Sequence, residues 1–131
     1  MERESEVCGS FACGAAHFAV STEADRKPAK RAQVLIAGLP HIVAARAEKG
    51  CIHYVWSADN VHPGRIYVFE EWESQADLAA HLKAPPYINM RDTIGSFGIL
   101  GASTQKYRID HAEPVYDDKG VPRADFFTKP A

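Results

Sequence analysis

The sequence contains no apolar run near the ~18 residues that a bilayer crossing requires, so a membrane-spanning helix is excluded. It has no basic excess either. Fifteen Lys and Arg against seventeen Asp and Glu leave a formal charge of −2, which gives a nucleic-acid backbone no electrostatic footprint. Cysteine is scarce: Cys8, Cys13 and Cys51 cannot all pair and lack CxxC or Cys/His zinc spacing. They are expected to be small buried hydrophobes or spectators in a reducing, cytoplasmic compartment. The opening Met-Glu-Arg-Glu-Ser-Glu is acidic where a secretory signal has a basic n-region, so no such signal is expected. A glycine-rich phosphate loop, a GxSxG elbow and a paired-carboxylate signature are all missing.

What is present suits one folded domain. Apolar residues make up 46% and charged residues 24% of 131 residues, enough to build a core and too apolar for a disordered chain. Residues 1–9 are charged and expected to be frayed. The small apolar stretch 10–20, with Phe11, Phe18 and Val20, predicts a first strand, and Ser21-Thr22-Glu23-Ala24-Asp25 predicts a helix start. Pro28 is an alternative first helical residue, because its missing N–H is tolerated there. Leu35, Leu39, Ile42 and Val43 recur at helical spacing, with a kink expected before Pro40 and Gly50 as the terminator.

Cys51–Trp56 and Arg65–Trp72 are rich in β-branched and aromatic residues and flank the turn chemistry of residues 59–64, which predicts a hairpin. Ser74 caps a second helix carrying Leu78, His81 and Leu82 on one face. Pro85-Pro86 ends it, a short third helix follows from Tyr87, and a last strand runs from about Gly101 to Asp110. Residues 10–111 thus form a single β-α-β-β-α-β unit, the ferredoxin-like α+β arrangement with helices on one face of an antiparallel sheet. Residues 112–131, with three prolines but also Val115, Tyr116, Phe126 and Phe127, form an extension expected to dock onto something.

The two central strands do not alternate apolar with polar. Tyr67 and Phe69 oppose Ile66 and Val68, so the face away from the helices is also apolar. A solvated face of that kind would exceed the ~300–600 Å² usual for monomers. Sheet-to-sheet cover by a second copy is expected: a symmetric homodimer.

Glu48-Lys49-Gly50-Cys51-Ile52-His53-Tyr54, then Pro63-Gly64-Arg65, Phe69-Glu70-Glu71-Trp72-Glu73-Ser74 and Ala80-His81-Leu82 form a spaced set. Together they resemble the antibiotic biosynthesis monooxygenase family over about residues 10–110. The resemblance implies a dimeric α+β barrel with each ligand cavity between sheet and helices. It does not imply one reaction, since the group includes oxygenases of anthrone-type phenols, quinol oxygenases and haem degraders. The anthrone oxygenases carry an Asn on the third strand, and Arg65–Trp72 has none. The haem degraders carry an Asn on the first strand, and residues 10–20 have none. The first departure counts against an anthrone-type assignment and the second against haem degradation.

His81 and Trp72 are the candidate catalytic pair. An imidazole with an ordinary pKa near 6.5 can take a phenolic proton at neutral pH, and a deprotonated phenol can reduce O₂ without metal or flavin. Trp72 would supply a flat wall and an indole donor to a developing oxyanion. Equally, Trp72 fits a core position and His81 a packed, hydrogen-bonded histidine. His17, Tyr54, Asn89 and Arg91 are candidate substrate-binding residues, and Glu70 and Glu71 are expected at the rim. His17, His53 and His81 are the candidate metal trio; no pair has the i, i+4 or short-loop spacing typical of such sites, so neither metal nor other cofactor is expected. The resulting expectation is a cofactor-independent monooxygenase using O₂ and a small aromatic. A non-catalytic, stress-linked ligand-binding dimer, or an isomerase or lyase on the same barrel, would use the same cavity.

Overall fold

The computed structural model describes residues 16–129. The charged stretch 1–9, the first part of the expected strand at 10–15, and Cys8 and Cys13 lie outside the described residues. Strand β1 spans His17–Asp25, helix α1 Pro28–Arg46, strands β2 and β3 Cys51–Ala58 and Arg65–Trp72, helices α2 and α3 Gln75–His81 and Pro85–Ser96, and strand β4 Gly101–Ile109. The sheet is antiparallel throughout with order β2-β3-β1-β4, which is the ferredoxin-like α+β topology.

One expectation is corrected at the first strand. Ser21–Asp25 does not start a helix; it continues β1, pairing with Arg65–Phe69 on one side and Gly101–Gln105 on the other. Ser21, Glu23 and Asp25 occupy the face away from the helices, where polar side chains are tolerated, and two full ladders outweigh a local capping preference. The helix begins instead at Pro28 and runs through Pro40. Gly50, at φ 81, makes the reversal into β2. A Cβ there would fall 2.1 Å from Asp77 Oδ2, so the turn also depends on the close approach of α2.

A bulge interrupts the hairpin at its start. Cys51 pairs with Trp72, yet His53 already pairs with Glu71, so Ile52 is the extra residue. Beyond the bulge, Tyr54 pairs with Glu70 and Trp56 with Val68. Ser74 caps α2 through the Asp77 N–H at 3.1 Å, as its sequence predicts.

The core lies between the sheet and the helices. Val34, Ile66 and Val68 pack together at one end, and Ile42, Ala45, Tyr54, Trp72, Leu78 and Met90 at the other. Full burial of each large side chain contributes roughly 1.5–3 kcal/mol. Met90 also fills the space over Gly38, whose missing Cβ would meet the sulfur at 3.0 Å, so α1 and α3 approach closely there. On the opposite face Tyr67 and Phe69 are more than two-fifths exposed.

Residues 111–129 fold on themselves. Tyr116 bridges to Pro122, Asp117 Oδ1 accepts from the Lys119 and Val121 amides, and Glu113 accepts from the Phe127 and Thr128 amides. Val115, Tyr116 and Phe126 remain exposed on this extension. Among the described residues no helix is long and apolar enough to cross a membrane.

Candidate functional site

Helices cover the sheet incompletely and leave a cavity of about 700 Å³ between β1, β2, β3, α3 and β4. Its walls are mainly apolar or aromatic, including Val20, Tyr54, Trp56, Tyr87, Met90 and Ile94. One acid, Glu70, and three cations, Arg26, Arg91 and Lys106, line it.

Strand parity explains Glu70. It follows Ile66 and Val68 at two-residue steps, so it points into the helix-covered space although its neighbours in sequence suggested a rim. Burial pushes its pKa up, opposed by the Trp72 indole N–H and by His81. Trp72 Nε1 donates to Glu70 Oε1 at 3.0 Å. His81 Nε2 faces the same oxygen at 3.7 Å, and His81 Nδ1 lies 2.6 Å from Glu48 Oε1. A carboxylate only accepts, so Nδ1 carries a hydrogen and donates it to Glu48.

Aromatic rings hold this arrangement. The His81 ring lies 4.5 Å from that of Trp72 and contacts Tyr54 and Tyr87 edge-on at 5.5 and 5.6 Å. The bulge after Cys51 is what turns Tyr54 to this side. Burial raises the Tyr54 hydroxyl well above the ordinary phenol range, so it remains a neutral wall group.

The candidate residues of the sequence divide sharply. His81 and Trp72 come together, but both are fully buried and neither lines the cavity; Glu70 stands between them and the open space. Trp72 is therefore not the expected wall, and its indole N–H is committed to Glu70 rather than left for an oxyanion. Tyr54 and Arg91 do line the cavity. His17 does not: it faces the other side of the sheet, where Nδ1 bonds Glu71 Oε2 at 2.7 Å. Asn89 is exposed and outside the cavity lining. His17 and His53 lie across the sheet from His81, so the three histidines do not converge, and no other cluster of three or more metal-ligating side chains occurs among the described residues.

Sequence reasoning missed Glu48, Tyr87 and Arg26. Glu48 lies 33 positions before His81 in the chain, so only the fold joins them. Alternation with Ile66 and Val68 was the available signal for Glu70.

The fold matches solved structures. Rv0793 from Mycobacterium tuberculosis is 24% identical, with a TM-score of 0.62 over 70% of this chain and 92% of its own. A conserved protein from Methanosarcina mazei Go1 is 19% identical, with a TM-score of 0.67 over 73% and 95%. A structure described as an antibiotic biosynthesis monooxygenase is 21% identical, with a TM-score of 0.61 over 73% and 99%. No curated protein matches the chain. The family model for antibiotic biosynthesis monooxygenases matches residues 18–93, from β1 through the cluster of Glu70, Trp72 and His81 and most of α3. With more than half its length matched, the chain belongs to the antibiotic biosynthesis monooxygenase family.

Proposed function

We propose that this protein is a cofactor-independent monooxygenase that oxidises a phenolic or quinol-type aromatic with O₂. The observation that carries the reading is Glu70, the one acid among the described residues lining an aromatic-walled cavity, held by Trp72 and backed by the His81–Glu48 pair. Its raised proton affinity brings it nearer to that of a phenol, which makes it a better base than an exposed carboxylate. This moves the base from His81 to Glu70. His81 becomes a positioning residue, held by Glu48 through Nδ1 and facing Glu70 with Nε2.

The chemistry balances without a cofactor. The phenolate gives electrons to O₂, one oxygen atom forms a bond to ring carbon, and the other leaves as water with both protons. For a hydroquinone the product is a hydroxyquinone. The protein excludes bulk water, holds the anion and confines O₂ beside it.

The reading includes a homodimer in the cytoplasm, with a second sheet covering Val55, Tyr67, Phe69 and Tyr107, all exposed in the single chain. Cys51 is partly buried and its thiol is pushed up to about 11, so it is a poor nucleophile in that setting.

Metal-free protein is to be incubated with a hydroquinone panel in ¹⁸O₂, following O₂ uptake and product mass. One labelled atom in the product, lost in Glu70→Gln, is the expected result. Uptake no greater than in buffer, or an unchanged rate in that variant, overturns the assignment. Ligand-induced thermal stabilisation without turnover would favour the non-catalytic binding dimer.

A further inference from the structure

We propose that Arg26 is the recognition site for a carboxylate on the cavity ligand, so that the molecule bound is an acidic aromatic rather than a neutral one. The inference deepens the functional reading above, because it assumes that the same cavity takes the substrate.

Arg26 follows the last residue of β1 and is 2% exposed, yet its side chain lines the cavity. Only one of its nitrogens is occupied. Nη1 donates to the Gly98 carbonyl at 2.6 Å and reaches the Ile94 carbonyl at 3.4 Å, tying β1 to the end of α3. Nε and Nη2 are buried and have no hydrogen-bond partner among the described residues. A guanidinium stays charged when buried, so these donors need an acceptor. The Nε–Nη2 edge is one of the two edges on which arginine grips a carboxylate with parallel hydrogen bonds.

Among the described residues no neighbouring acid serves. Asp25 is bound to Arg65 at 2.7 and 3.0 Å, and Glu23 lies 3.5 Å from the same guanidinium. Both belong to the opposite side of the sheet. Glu70, the cavity's acid, is opposite Val20 on β1, six residues before Arg26. At ~3.4 Å per residue that is roughly 20 Å along the strand. The cavity thus has an acid at one end and an unpaired guanidinium toward the other.

The remaining charges agree. Arg91 and Lys106 also line the cavity, so three cations face one acid in a chain whose overall charge is −2. An anionic ligand would enter past the exposed pair and deliver its carboxylate to Arg26, leaving its phenolic end toward Glu70.

Two non-oxidisable probes test this by calorimetry on the full chain: 2-naphthoate and its neutral analogue naphthalene-2-carboxamide. The acid is expected to bind at least ten-fold more tightly. Arg26→Gln should abolish that preference, and Arg26→Lys should keep part of it. Equal or absent binding of the two probes by the wild type, or an unchanged preference in Arg26→Gln, overturns the proposal. Should Arg26→Gln fail to fold for want of its grip on Gly98, Arg91→Gln/Lys106→Gln decides. A preference that survives that double change supports Arg26, and one that disappears assigns recognition to the mouth and overturns it. Because neither probe is oxidised, failure of O₂ chemistry leaves this result intact. Conversely, turnover of neutral quinols without a carboxylate preference removes Arg26 and leaves the monooxygenase reading standing.

Discussion

His81 Nδ1 lies 2.6 Å from Glu48 Oε1, which joins the end of α2 to the turn between α1 and β2. The imidazole has no exposed surface, while the carboxylate keeps a solvent-facing edge. Removing the acceptor alone is therefore costly. Glu48→Ala is expected to destabilise the fold by about 1–3 kcal/mol, the range for a buried donor left unpaired. Urea unfolding measures it, and a change within error would show that water replaces Glu48 without loss.

Glu70 sets the pH dependence. Burial raises its pKa, so the folded protein holds this proton where the unfolded chain has released it. Its contribution to stability is fully present below the ordinary glutamate value of about 4.3 and is lost as pH rises through the raised value. Glu70→Gln has no such proton to lose. Urea midpoints of wild type relative to Glu70→Gln should fall as pH increases across the raised titration. A constant difference would mean that Glu70 titrates like a surface acid.

Trp72→Phe keeps an aromatic ring, though a smaller one, and deletes the donor to Glu70. The lost hydrogen bond had favoured the ionised carboxylate, so the Glu70 pKa should rise further. The acid limb of any rate profile moves to higher pH, with a stability cost of about 1 kcal/mol for the hydrogen bond and a further cavity term from the smaller ring. An unmoved limb would separate Trp72 from the chemistry and leave it a packing residue.

Phe69 and Tyr67 face away from the helices and are exposed in the single chain. Phe69→Lys is expected to convert a dimer to a monomer, measured by sedimentation at micromolar concentration. Truncation after His111 removes the exposed Val115, Tyr116 and Phe126 and should weaken the dimer if the extension crosses to the second copy. An unchanged dissociation constant after truncation would refute that role for the extension.

Much of the architecture was legible because it rests on periodicity. The hairpin, the Ser74 cap and the Gly50 reversal each have local chemistry that admits few alternatives. Ser21–Asp25 misled because its capping residues occupy the polar-tolerant side of a strand paired on both edges, information held in β3 and β4. At the site, His81 and Trp72 were visible as a spaced pair, but their depth was not. Glu48 and Arg26 acquire their roles from contacts with residues 33 and 72 positions away, which no local pattern encodes.

Ile52 has one further consequence. Had the ladder continued unbroken from the Cys51–Trp72 pair, His53 would lie opposite Glu70, and Tyr54 would lie opposite Phe69. The pocket would then present an imidazole and a valine where it now presents a phenol and an indole. A single surplus residue in β2 thus chooses which half of that strand meets the ligand: pairing Ile52 into the ladder would exchange an aromatic lining for a titratable one, whereas deleting it would leave Tyr54 opposite Glu70.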